Sequence, residues 1–325
     1  MAYAFDEFRN LVSGLGSSVS DRDPVVRYVC ALVAELTYYH VPAFEIDNKK
    51  RAMVIPCEGY RRIVERGEST NVAAYFQAME FENAFVVVDR GVVAIGISLN
   101  GLLFIGFRGT KFLFDWRTNL RAPLVHVDFR FRVAGPFMRG FSGGRVHQGF
   151  AEEAVRISAK IMDAIRDKQI ENVDHVFITG HSLGGAVAAL SETFIGPKAI
   201  STCIFGSPRY CDVSAYYGSH VGPPAPPAQV QRPDDIVPFV PPRRMGYADH
   251  PYQFSTAGDP LFDPISDSLW LYFLWRLLLF LGKRFEPHSV ECYRRELGHA
   301  ANAKWADEPL APYEKLTVKD IESVA

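Results

Sequence analysis

One serine is set among glycines in a way that could serve chemistry. Ser182, in the stretch "VFITGHSLGGAVAAL" from Val176 to Leu190, has Gly180 two residues before it and Gly184 two after. The run ending at Thr179 is apolar, as a buried strand is, and the run from Leu183 is alanine-rich, as a helix is. Only a few residues are left for the corner between them, so its backbone is expected to be strained and its hydroxyl lifted clear of a sheet's carboxyl edge. The first N–H groups of the following helix would point at whatever sits above. Such a serine is placed as a nucleophile; the plainer alternative is an N-cap on the helix. A serine hydroxyl is a weak nucleophile and needs a base that is itself oriented, usually a histidine held by an acid. In a strand, turn, helix setting both follow the serine in the chain. Among the later histidines, His288 in "FEPHSVECYRREL" sits in a loop before a helix, where its ring has freedom to swing over the serine, and His250 is its rival. Asp235 in "QRPDDIVPFVPP" stands at the end of a short strand-like run, with Asp234 as the rival acid.

The elements that would carry these residues can be read from periodicity. Asp23-Pro24 followed by "VVRYVCALVAELTYY" reads as an N-cap, a proline at the first helical position and an amphipathic helix. From Ala84, "AFVVVDRG", "VVAIGISLNG" and "LLFIGFRG" are three strands separated by Arg-Gly and Asn-Gly turns. Gln148 to Lys168 has the three- and four-residue spacing of an amphipathic helix. "HVFITG" and "AISTCIFGS" are strands on either side of the alanine-rich helix. Alternating strands and helices imply a parallel sheet with right-handed crossovers. The segment from Arg51 to Glu80 is mixed and stays unassigned.

Taken in order, these motifs resemble the class 3 lipase family, the fungal-lipase type of α/β-hydrolase. "FRGT" at Phe107 to Thr110 resembles its oxyanion strand end, and "DWRTNL" at Asp115 to Leu120 its lid-helix signature. "VHQGF" at Val146 to Phe150 resembles the start of the helix before its elbow, and "GHSLGGA" the elbow itself. "FGSPR" resembles the next strand end, "DIVPFVPP" the acid motif and "PHSVECY" the histidine motif. The resemblance implies an α/β-hydrolase fold with a central, mostly parallel sheet flanked by helices. The resemblance covers about Ala84 to Arg295, and the whole chain is expected to form one domain over residues 1–325, with 1–80 a helical N-terminal part packed on it and 300–325 a tail. The resemblance makes Ser182 the nucleophile, Asp235 the orienting acid and His288 the general base. Thr110 and the backbone N–H of Leu183 become oxyanion donors, and Phe112, Leu113, Phe114 and Trp116 an apolar lid over the substrate. His181 and His147 fall on family positions that read as structural.

The expected activity is hydrolysis of acyl esters of lipids, as by a lipase or phospholipase, through an acyl-enzyme and with no metal or organic cofactor. A catalytically inert lipase-like binding or signalling module is the alternative from another class, and an esterase for short or aromatic acyl groups the alternative among hydrolases. Composition is that of an ordinary globular protein, 48% hydrophobic and 22% charged. The net charge is -2 with basic pairs scattered, so nucleic acid is not an expected partner. Five cysteines without Cys-x-x-Cys or Cys/His spacing argue against a disulfide framework and a zinc site. "MAYAFDEFRN" lacks the basic and apolar run of a signal peptide, so a cytoplasmic location is expected. Leu269 to Leu281, "LWLYFLWRLLLFL", is too short to cross a bilayer, which takes about 20 residues, and is either a core helix or a peripheral membrane contact.

Overall fold

The computed structural model describes residues 2–15, 19–38, 53–56, 84–89, 92–109, 123–126, 144–167, 170, 172–195, 199–218, 226–261 and 286–308. Its centre is an eight-stranded sheet in the order β1-β2-β3-β4-β7-β8-β9-β10. The strands are β1 (Met53–Pro56), β2 (Ala84–Asp89), β3 (Val92–Leu99), β4 (Leu102–Phe107), β7 (His175–His181), β8 (Ala199–Phe205), β9 (Ala228–Gln231) and β10 (Gln253–Ser255). From β1 to β4 neighbours are antiparallel, and from β4 to β10 they are parallel. The expected three-strand meander is β2 to β4, and its Asn-Gly turn is Asn100 and Gly101, both at positive φ (51° and 76°), as a two-residue turn matched to strand twist requires. Within the unassigned stretch 51–80, Met53–Pro56 adds one more antiparallel strand at that edge. β5 (Leu124–His126) and β6 (Arg145–His147) form a separate two-stranded ribbon.

The strands β2, β4 and β7 are apolar on both sides because the sheet is covered on both faces. Along β4, Leu102 and Phe104 join one core with Phe8 of α1 (Ala2–Ser13), Val29 and Val33 of α2 (Pro24–Leu36) and Leu297 of α6 (Val290–Ala300). Leu103, Ile105 and Phe107 join the other, with Phe150, Ile157 and Ile161 of α3 (Gln148–Asp167), Val187 of α4 (Leu183–Ser191) and Tyr216 of α5 (Val213–Gly218). The two-residue alternation of a strand thus feeds two separate cores. Asp23 caps α2 as the sequence indicates, its Oδ1 accepting from the Val25 N–H at 2.8 Å. The result is an α/β-hydrolase fold with a mostly parallel sheet between helical layers. Its parallel strands β4, β7, β8 and β9 all end on one edge, where open α/β sheets bind ligands.

Candidate active site

Ser182 alone makes the corner between β7 and α4, since the strand runs through His181 and the helix begins at Leu183. The turn is tighter than the sequence spacing suggests. Its φ of 60° and ψ of -133° are strained for a residue with a side chain. Although Ser182 stands at the N-cap position, its side chain makes no capping hydrogen bond, so helix capping does not account for it. The backbone is pinned instead: the Ser182 N–H donates to the Phe205 carbonyl at 2.9 Å, and its carbonyl accepts from the Gly185 N–H at 2.9 Å. Leu183 opens α4, and its N–H belongs to the first turn, which no earlier carbonyl in the helix can satisfy. The glycines allow this packing by close approach. A β-carbon on Gly180 would lie 2.4 Å from the Gly184 carbonyl oxygen, and one on Gly184 would lie 2.4 Å from that of Phe107.

Asp235 lies beyond β9 and is fully buried, whereas Asp234 beside it is exposed. Its Oδ2 is 2.8 Å from His288 Nδ1 and accepts from the Tyr293 hydroxyl at 2.7 Å, while Oδ1 accepts from the Val237 N–H at 2.9 Å. Opposite an ionised carboxylate, which only accepts, Nδ1 must carry the proton, leaving Nε2 with the lone pair a base needs. Burial, then the neighbouring Asp235, push the Tyr293 hydroxyl well above the usual tyrosine range, so it stays a donor. The His288 ring lies 4.5 Å, centroid to centroid, from that of His181, the residue before Ser182. The rival histidine is engaged elsewhere: His250 meets the Tyr210 hydroxyl through Nε2 at 3.2 Å and the Tyr252 carbonyl through Nδ1 at 3.2 Å.

His181 and His147 are both held by packing. His147 stacks on Phe150, and its Nδ1 accepts from the Phe150 N–H at 3.3 Å. His181 Nδ1 is 2.8 Å from the Tyr38 hydroxyl, just past α2. Burial pushes the His181 pKa well below the usual histidine value, with His288 adding to the effect and the His288 backbone opposing it. This has a consequence for stability. As pH falls through about 6.5, the unfolded chain takes up a proton at this site that the folded one refuses, removing up to about 1.4 kcal/mol per pH unit. Partial burial of His175 acts in the same direction. Urea unfolding between about pH 7.5 and 5.5 should therefore show falling stability, and His181→Gln should flatten part of that slope; equal slopes in both proteins would refute the effect.

The structure thus brings Ser182, Leu183, Asp235 and His288 to one end of the sheet. Thr110, the lid residues Phe112, Leu113, Phe114 and Trp116, and the apolar run Leu269 to Leu281 lie outside the described residues. Tyr293 was not singled out from sequence, although it lies inside the histidine motif. Its place on the inward stripe Val290, Tyr293, Arg294 and Leu297 reads simply as core. Nor is the His288 ring carried on a loop free to swing. It ends a short 3₁₀ turn, Glu286–His288, directly before α6.

Residues 104–245 match the family model for lipase (class 3). The matched segment contains Ser182, Leu183 and Asp235, and His288 lies beyond it. A lipase of Rhizopus niveus is 30% identical over 158 residues, covering 46% of this chain and 37% of that protein. The secreted mono- and diacylglycerol lipase 1 of Fusarium solani is 31% identical over 187 residues, covering 55% and 48%. Phospholipase A(1) DAD1 of Arabidopsis thaliana is 32% identical over 118 residues, covering 32% and 26%. The chain therefore spans about a quarter to a half of the length of these curated relatives. Among solved structures, a mutant form of MDLA from Penicillium cyclopium aligns over 78% of this chain and 86% of its own, at TM-score 0.49 and 18% identity.

Proposed function

We propose that the chain is a serine ester hydrolase of the lipase or phospholipase type, acting on acyl esters of lipids through Ser182, Asp235 and His288. One observation carries the reading: a buried Asp235 paired at 2.8 Å with His288, next to a serine on a strained elbow. Ser182 Oγ attacks the ester carbonyl carbon as His288 Nε2 takes its proton, and Asp235 steadies the imidazolium that forms. The tetrahedral oxyanion is received by the Leu183 N–H together with Thr110. Loss of one such donor costs about 10²–10³ in turnover. As the C–O bond breaks, His288 returns the proton to the leaving alcohol. Water, deprotonated by the same ring, then hydrolyses the acyl-enzyme and frees the fatty acid.

The lipid substrate class is supported by the relatives, which are named as lipases and a phospholipase A(1). In this reading Phe112, Leu113, Phe114 and Trp116 cover the acyl chain, and Leu269 to Leu281 touches a lipid surface without crossing it. A fluorophosphonate probe tests the core of the proposal. It should label wild type at Ser182 and leave Ser182→Ala unlabelled; folded wild-type protein that takes no label would sink it.

A further inference from the structure

Behind His288, a clasp of hydrogen bonds joins three separate pieces of chain. Arg232 is the first residue after β9 and stands three before Asp235. Its Nη1 donates to the Pro287 carbonyl at 2.7 Å, its Nε to Glu296 Oε1 at 2.7 Å, and its backbone N–H to the Tyr293 hydroxyl at 3.1 Å. Glu296 lies on α6, and its Oε2 accepts from Thr256 Oγ1, in the turn after β10, at 2.7 Å. One guanidinium therefore grips the residue immediately before His288, from a position immediately upstream of Asp235. The same Tyr293 hydroxyl that accepts from Arg232 donates to the Asp235 carboxylate.

The Arg232 and Glu296 side chains are 18% and 38% exposed, and an ion pair that open to water contributes little to stability. Its geometry is more telling than its energy. Thr256 follows β10 and Pro287 directly precedes His288, so the clasp ties the His288 turn to the ends of β9 and β10 and to α6. We propose that Arg232 is a positioning residue, which fixes the Pro287 carbonyl and thereby keeps His288 in register with Asp235. The proposal rests on the triad reading above. A misplacement of about 1 Å at a reacting group can cost on the order of 10² in rate, and the 2.8 Å contact between Asp235 and His288 leaves no slack for it.

Arg232→Met keeps the length of the side chain and loses every donor of the fork. It is expected to lower kcat by about tenfold or more while KM stays within about twofold, because the substrate pocket is untouched. Arg232→Lys can reach Pro287 or Glu296 but cannot fork to both, and should recover part of the loss. The proposal is overturned if Arg232→Met keeps kcat within about twofold of wild type, if the loss falls in KM alone, or if lysine rescues nothing. Should Arg232→Met fail to fold, Arg232→Lys and Glu296→Ala decide the matter. Reduced kcat at constant KM supports the clasp, and wild-type kcat in both refutes it. Fluorophosphonate labelling separates this from the underlying reading. Unlabelled wild type sinks the triad, whereas wild type and Arg232→Met labelled at the same rate sink the clasp alone.

Discussion

Asp235→Asn is expected to lower ester turnover by about 10⁴-fold while leaving the fold intact. The size of the effect follows from three donors converging on one carboxylate: the His288 Nδ1–H, the Tyr293 hydroxyl and the Val237 N–H. An asparagine whose carbonyl keeps the Val237 bond turns its NH₂ toward two other donors. The His288 ring relieves the clash by moving its proton to Nε2, so that Nδ1 accepts. Nε2 then has no lone pair with which to take the serine proton. Asp234→Asn, at the exposed neighbour, should stay within about twofold of wild type, as a surface substitution does. Initial rates on a chromogenic ester and on a diacylglycerol would measure both variants. Asp235→Asn activity within tenfold of wild type would falsify the assigned orientation of the ring.

The second large effect lies in the backbone. Gly184 is the second residue of α4, where helix propensity alone favours alanine by up to about 1 kcal/mol. Sterics oppose it, because a β-carbon there would stand 2.4 Å from the Phe107 oxygen, 2.6 Å from the Arg108 carbonyl carbon and 2.7 Å from the Gly109 nitrogen. Backbone atoms cannot rotate aside as a side-chain tip can, so the clash outweighs propensity, and Gly184→Ala should destabilise by about 3 kcal/mol. It would also push α4 away from the end of β4, separating Ser182 from the strand that leads to Thr110, at a cost in kcat on the order of 10². Gly149→Ala in α3 is the contrast. Among the described residues its β-carbon meets only the His147 ring, at 3.4 and 3.6 Å, so helix propensity prevails and stability should stay level or rise slightly. Thermal melts of the two variants would show opposite signs, and a stable, active Gly184→Ala would mean the elbow can spread.

Most of the fold was legible because its signals are local. Asp23-Pro24 opens α2, and Asn100-Gly101 supplies the positive φ values of a tight turn. The β-branched, apolar runs of β2, β3 and β4 and the apolar β7 and β8 announce strands. What escaped has equally physical reasons. Among the described residues β1 pairs with β2 alone, and four residues in a mixed stretch carry no periodicity to read. Tyr293 keeps the spacing of a core residue, and its role depends on a hydroxyl meeting a carboxylate 58 positions earlier in the chain. The partners of a buried arginine are invisible for the same reason. Arg294 pairs with Glu35 at 2.5 Å across 259 positions, and donates to the Ala306 and Glu308 carbonyls at 2.9 Å each. The apolar spacing of Val290, Tyr293 and Leu297 turns Arg294 rather than Arg295 inward, but nothing near it names Glu35 as its partner.

The sequence by itself determined the serine, its glycine-bounded corner, and the order of acid and base motifs after it, because spacing within a strand, turn and helix is a property of neighbouring residues. It also put Asp235 and Asp234 side by side without a physical ground for choosing between them. Only the tertiary structure decided that Asp235 is buried facing His288 while Asp234 meets solvent. The tertiary structure also brought in Tyr293 from α6 and Arg232 from the end of β9 to hold the pair, and tied His181 to Tyr38. Those contacts arise where the ends of separate strands and helices converge. Their distances are set by how the sheet twists and how its two faces pack, which no local spacing encodes.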